Sequence, residues 1–271
     1  MSDDKIRENE KLNQLNDAQN ELIKQDVEKE PLVSPAIKIQ SLEEEFKNAD
    51  NFLKKVFFLQ KGFEKTLIRK ARKDGNCFYR SFIFRLCEIL CMGNQFFEKF
   101  KIFQKVKQFS SMMLKANFDK IVFEQFENFF IEFLNAIKSG SINILNVQNS
   151  LSDKSTFDYY VMYLRFIISA YIRTCGGLFD AYFESDHDLK QFCASEVEPI
   201  DAEADQIQII SLFNLFEIPI RIYYLDNNPN EVPIVLSLPE LDKNGVDEIK
   251  KSQSVYLIQL LYRPGHYDIL Y

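Results

Sequence analysis

Residues 120 to 138 carry the clearest periodicity in the chain. Apolar positions 122, 123, 126, 129, 130, 133 and 134 recur at three- and four-residue steps, with Glu124, Glu127, Asn128 and Glu132 between them. That spacing predicts a helix with one buried face. Similar spacing predicts helices over about 77–91, 95–115 and 156–175, a shorter one over 187–195, and one over 205–216 that starts at an Asp cap. The segment from Ser41 to Phe63 reads as helical, with Ser41 as N-cap and Glu44 completing a capping box. Ser139-Gly140-Ser141 and Cys175-Gly176-Gly177 interrupt the pattern.

After Pro219 the period falls from 3.6 to 2. Residues 220–225, 232–238, 254–262 and 266–271 alternate as strands do, and Arg263-Pro264-Gly265 predicts a turn between the last two. Helices followed by a small mixed or antiparallel sheet that ends in a C-terminal hairpin make an α+β fold. One domain is expected over 41–271, with residues 1–40 as an N-terminal arm. Residues 1–30 hold 9 acidic and 5 basic residues and no aromatic, Pro or Gly. Leu12, Leu15, Leu22 and Ile23 offer only a thin stripe, so the arm is expected to be disordered or helical and to order on a partner.

Composition narrows the class. The chain has 271 residues, 46% of them hydrophobic, 26 of them Phe, enough for a sizeable core. A net charge of −7 argues against nucleic acid or an anionic membrane as partner. The basic run 65–73 reads as a solvated helix face. The longest apolar stretch, 159–172, contains Arg165 and falls short of the roughly 20 residues a membrane span needs, so it reads as a core helix. Five cysteines without CxxC pairing, with no signal peptide and no glycosylation sequon, are expected of a reducing, intracellular compartment.

The candidate chemistry lies in KDGNCFYRSF, residues 73–82. Asp74, Gly75 and Asn76 form a turn. Phe82, Leu86, Ile89 and Leu90 then set a helical stripe that places Cys77 in the first turn, where the helix dipole favours a thiolate. A small buried residue at a helix start is the alternative, and for a cysteine taken alone the commoner one. A nucleophilic cysteine needs a base, and the chain has two histidines. His187 sits among acids in a polar stretch and reads as a surface residue. His266 opens the last strand, and Asp268, two residues on, shares its strand face and is placed to orient the imidazole. A nucleophile on a helix facing a base on a sheet is the papain-like arrangement. Cys87 and Cys91 stand four apart with no second ligand pair, so they read as buried thiols and no metal is expected.

DGNCFYRSF and the terminal LLYRPGHYDILY resemble the ovarian-tumour (OTU) cysteine proteases, and within them the otubains, which are deubiquitinases. PLVS at 31–34, STFDYYVMYLR at 155–165, FCASEVEPI at 192–200 and ADQIQIISL at 204–212 are similar to otubain segments in the same order. The resemblance implies Cys77 as nucleophile, His266 as general base, Asp268 as the acid that orients it, and Asp74 as a further active-site residue. The loop of Asp74, with Gly75 and Asn76, helps to build the oxyanion hole.

It further implies that the chain hydrolyses isopeptide bonds in polyubiquitin without metal or cofactor, on the linkage that marks proteins for the proteasome. Ubiquitin and ubiquitin chains are the implied partners of a cytoplasmic, also nuclear, monomer. Gln206, Gln208 and Tyr267 are assigned to the surface that meets substrate; glutamine stands at 206 and 208 where otubains tend to carry histidine. A second reading makes the protein a non-catalytic binder that blocks ubiquitin-charged conjugating enzymes, with the arm on the ubiquitin.

Overall fold

The computed structural model describes residues 22, 25–92, 96–175, 177–183, 185–240, 249 and 256–271. Nine α-helices are named among them: α1 (Ser41–Glu45), α2 (Asp50–Lys61), α3 (Cys77–Cys91), α4 (Phe96–Lys115), α5 (Lys120–Ser139), α6 (Val147–Ser150), α7 (Lys154–Thr174), α8 (Asp186–Phe192) and α9 (Gln206–Phe216). The strands are β1 (Ile37–Lys38), β2 (Leu67–Arg69), β3 (Ile220–Tyr224), β4 (Val235–Leu238), β5 (Ile258–Arg263) and β6 (His266–Leu270). They form one sheet in the order β1-β2-β6-β5-β3-β4. Among the described strands β3 and β5 pair in parallel and the other neighbours are antiparallel. The α+β expectation and the terminal β5–β6 hairpin are as read from the pattern.

Strand alternation sorts the core into two layers. Ile222, Leu260, Tyr267 and Ile269 join the large cluster built with α3, α5 and α7. Tyr223, Leu261, Leu270 and Ile68 face the other way, onto Leu42 of α1 and Val56 and Leu59 of α2. His266 and Asp268 share the parity of Leu270, so they belong to the α1–α2 side, while Tyr267 belongs to the α3 side.

Helix α3 is the central element. Every residue from Cys77 to Leu90 is buried, so it has no solvated face, unlike the single buried stripe expected of it. It packs against β5 and β6 on one side and α5 and α7 on the other. Its buried charged residues are paired within the fold, Arg80 with Asp74 and Asp158 and Arg85 with Glu88.

Four other expectations are corrected. Residues 41–61 form two helices, and Ser41 makes no cap; the position before the helix is Gln40, in helical conformation, with no side-chain bond. The basic run 65–73 is not a helix face: Leu67–Arg69 is β2, and Lys65 is buried with Nζ on Gln259 Oε1 at 2.6 Å. Glu127 is buried, not exposed. The arm does not extend to residue 40. Leu32, Val33 and Ile39 are core, β1 pairs with β2, and Arg72 donates to the Glu30 carbonyl. The fold therefore begins at about residue 30. Residues 1–21, 23 and 24 lie outside the described residues, and with them the Leu12–Leu15 stripe. No helix among the described residues is long and apolar enough to cross a membrane.

Candidate active site

Residues 74–77 turn tightly because each is held from outside the turn. Gly75 takes φ +76, and a Cβ there would lie 2.0 Å from the Asp201 carbonyl oxygen, so only glycine lets the loop lie this close to residue 201. Asp74 Oδ1 accepts the Asn76 N–H at 3.2 Å and is ion-paired with Arg80, which also binds Asp158 at 2.8 Å. Asn76 Oδ1 accepts from Arg165 Nη2 at 2.6 Å. The Arg165 guanidinium, fully buried, also donates to the carbonyls of Val197, Ile200 and Ala202 at 2.9, 2.7 and 2.8 Å and lies 4.1 Å from the Tyr79 ring centre. Arg165 thus ties the 197–202 segment to the turn that carries Cys77. From sequence, Arg165 is evident only as a charge that breaks the apolar run 159–172.

Cys77 begins α3 and is 5% exposed. Its sulfur accepts the Tyr267 backbone N–H at 3.4 Å. Burial pushes the thiol up to about 11, partly opposed by that hydrogen bond and reinforced by the Asp268 and Asp74 charges. The helix-start argument alone predicted the opposite direction; desolvation outweighs it.

His266 places Nε2 2.8 Å from Asp268 Oδ1, while its other ring nitrogen, Nδ1, is buried without a hydrogen-bond partner. Asp268, fully buried, takes the Ala71 N–H on Oδ1 at 2.9 Å and the Arg263 guanidinium on Oδ2. Burial alone would raise the Asp268 pKa; the His266 hydrogen bond, the Arg263 and His266 charges and the Ala71 N–H outweigh it and hold it below the usual value. Arg263 is paired in turn with Glu45, which Lys70 holds at 2.7 Å. Cys77, His266, Gly75, Lys73, Glu203 and Glu45 line one cleft of about 380 Å³, with Phe46 and Phe52 stacked at 4.8 Å as an apolar wall.

The structure thus brings Cys77, Gly75 and His266 to one cleft, with Asp268 buried behind His266. Asp74 is directed at Arg80, which makes it a brace of the turn. Gln206 is exposed at the start of α9. Gln208, expected to touch substrate, is 1% exposed: its Oε1 accepts the Asp205 N–H at 3.1 Å and its Nε2 donates to the Glu196 carbonyl at 3.2 Å, a capping box. Tyr267 is likewise not a surface contact; its ring packs on Phe78 and Tyr262 at 5.3 and 5.0 Å. The His187 side chain lies outside the described residues.

The family model for peptidase C65, otubain, matches residues 25–271. Human ubiquitin thioesterase OTUB1 is 33% identical over 257 residues, covering 94% of this chain and 88% of its own. An Arabidopsis thaliana ovarian-tumour-domain deubiquitinating enzyme is 34% identical over 90% of this chain and 79% of its own. The solved complex of ceOTUB1 with ubiquitin aldehyde and UBC13~Ub superposes with TM-score 0.80 at 29% identity, covering 93% of this chain and 98% of that one. With the cleft geometry and these matches together, the chain belongs to the otubains, peptidase family C65.

Proposed function

We propose that this otubain, a cysteine-type deubiquitinase, cleaves isopeptide bonds in polyubiquitin through Cys77, His266 and Asp268. The observation that carries the reading is the state of His266. One ring nitrogen is committed to a buried carboxylate and the other is unpaired, in the cleft that holds the thiol. The Asp268 bond fixes the tautomer in which Nδ1 carries the lone pair, so Nδ1 accepts the Cys77 proton. The thiolate adds to the carbonyl carbon of the ubiquitin C-terminal glycine, and the oxygen gains charge beside the turn of residues 74–77. The imidazolium returns its proton to the leaving lysine nitrogen, the C–N bond breaks, and a thioester remains. Water, deprotonated by His266, then releases the acid and the free thiol. Because burial holds the thiol up to about 11, transfer of its proton to His266 belongs to the substrate complex.

The linkage we assign is the one that directs proteins to the proteasome. Purified protein incubated with a panel of di-ubiquitins, one linkage each, tests this: cleavage confined to that linkage supports it, and equal cleavage of several rejects it. A second, compatible activity is binding of ubiquitin-charged conjugating enzymes. Two similar structures are complexes with UBC13~Ub and UBCH5B~Ub, and that similarity supports the proposal for this chain.

A further inference from the structure

Arg263 reads in the sequence as the first residue of a turn, and the mechanism above gives it no part. In the sheet it stands directly opposite His266 across β5–β6, while Leu261 stands opposite Asp268. Arg263, His266 and Asp268 therefore project from the same side, the one that faces α1. Arg263 is 6% exposed, and its guanidinium joins two carboxylates from distant parts of the chain, Asp268 and Glu45. The two oxygens of Asp268 are divided: Oδ1 serves His266 and the Ala71 N–H, and Oδ2 serves Arg263. Without Arg263, Oδ2 would lack that donor in a site closed to water, and the carboxylate could turn away from His266.

We propose that Arg263 is a positioning residue for the reaction, fixing the angle of Asp268 and setting how strongly that carboxylate attracts the proton on His266. The proposal rests on the Cys77–His266–Asp268 reading. Arg263 draws on the same negative charge that stabilises the imidazolium, and Glu45 draws Arg263 the other way. The remaining charged groups about His266 are Lys73 and Glu203 in the cleft wall, Lys70 behind Glu45, and Asp74 beyond the turn, held by Arg80. Among the described residues none of these bonds to Asp268, so Arg263 and Glu45 are the pair through which its charge is tuned.

The two carboxylate partners give the proposal a signature. Two macroscopic proton losses of the site as a whole bound the pH–rate bell. Removing the Arg263 cation favours every protonated state, so both limbs of the bell should move to higher pH. Removing the Glu45 charge leaves Arg263 uncompensated, so both limbs should move to lower pH.

The test is hydrolysis of ubiquitin carrying a C-terminal aminomethylcoumarin, followed from pH 5.5 to 9.5. Arg263→Met should lower kcat about tenfold, leave KM within about twofold, and move the bell up by about one pH unit. Arg263→Lys, which keeps the charge but loses the planar fork, should return the bell to its place and recover part of kcat. Glu45→Gln, on a half-exposed residue, should move the bell down by roughly half a unit. A bell that stays fixed in both Arg263→Met and Glu45→Gln, with kcat changing only as melting temperature changes, would overturn the proposal. If Arg263→Met does not fold, the Glu45→Gln shift alone decides: downward supports it, absent overturns it. His266→Ala is measured alongside. Activity surviving there would remove the underlying mechanism, whereas an inactive His266→Ala with a fixed bell in the other variants would remove only the role of Arg263.

Discussion

The backbone N–H of Tyr267 points at the sulfur of Cys77 across 3.4 Å, so the last strand touches the thiol through the residue between His266 and Asp268. Strand parity sends the side chains of His266 and Asp268 to one face of the sheet and that of Tyr267 to the other, against Phe78 of α3. The thiol and its proposed base are thereby held at one cleft end by the packing of α3 on β6, with the sulfur tied to the Tyr267 backbone.

That tie has a consequence for reactivity. With burial holding the thiol up to about 11, alkylation of Cys77 in the ligand-free protein should accelerate about tenfold per pH unit from pH 6 to 9, without a plateau. Iodoacetamide labelling with peptide mapping measures it. A plateau near pH 6 would mean that a thiolate–imidazolium pair already exists in the empty site.

Asp268 links the site to stability. Its pKa is lowered in the folded protein, so its contribution is present above the unfolded value of about 4 and is lost as pH falls below that toward the folded value. Melting temperature should drop through that window in the wild type and drop less in Asp268→Asn. At pH 7 the substitution removes one side of a buried ion pair and should cost about 3–5 kcal/mol in urea unfolding. Its activity loss should be smaller than that of His266→Ala, because the base remains.

Gly75→Ala tests the turn. A methyl group there meets the Asp201 carbonyl and a positive φ, so about 1–3 kcal/mol of stability and most of the activity should be lost. Unfolding midpoint and kcat measure the two. An active, fully stable Gly75→Ala would show that residues 74–77 and 201 do not need their close approach.

Much of this site could be read from local spacing. The start of α3 at Cys77 and the i, i+2 relation of His266 and Asp268 depend on residues a few positions apart, where helix and strand periods act. What escaped reading is non-local. Ala71 meets Asp268 across 197 positions and Glu45 meets Arg263 across 218, and no period reports such meetings. Strands β1 and β2, of 2 and 3 residues, are too short for alternation to show, so residues 31–40 read as part of the arm. Gln208 reads as a substrate contact only through the family resemblance, whereas in the fold it completes the capping box of α9.

The arm boundary is itself testable. Deleting residues 1–24 should change core stability by less than about 0.5 kcal/mol and, on the proposed reading, raise KM for chains more than it lowers kcat. Deletion through residue 40 removes Leu32, Val33 and Ile39 from the core, each worth about 2–5 kcal/mol, and should leave a protein that does not fold. Thermal melts of the two truncations separate the cases, and equal melting temperatures would return the boundary to residue 40.

The central claim is that Cys77 is the nucleophile and His266 its base. Ubiquitin bearing a C-terminal electrophile, reacted with the five-cysteine protein and mapped by peptide mass spectrometry, tests it most directly. The account predicts one adduct, on Cys77, abolished in Cys77→Ser, strongly slowed in His266→Ala and unchanged in His187→Ala. An adduct on Cys87, Cys91, Cys175 or Cys193, or a rate that depends on His187 and not on His266, would contradict it.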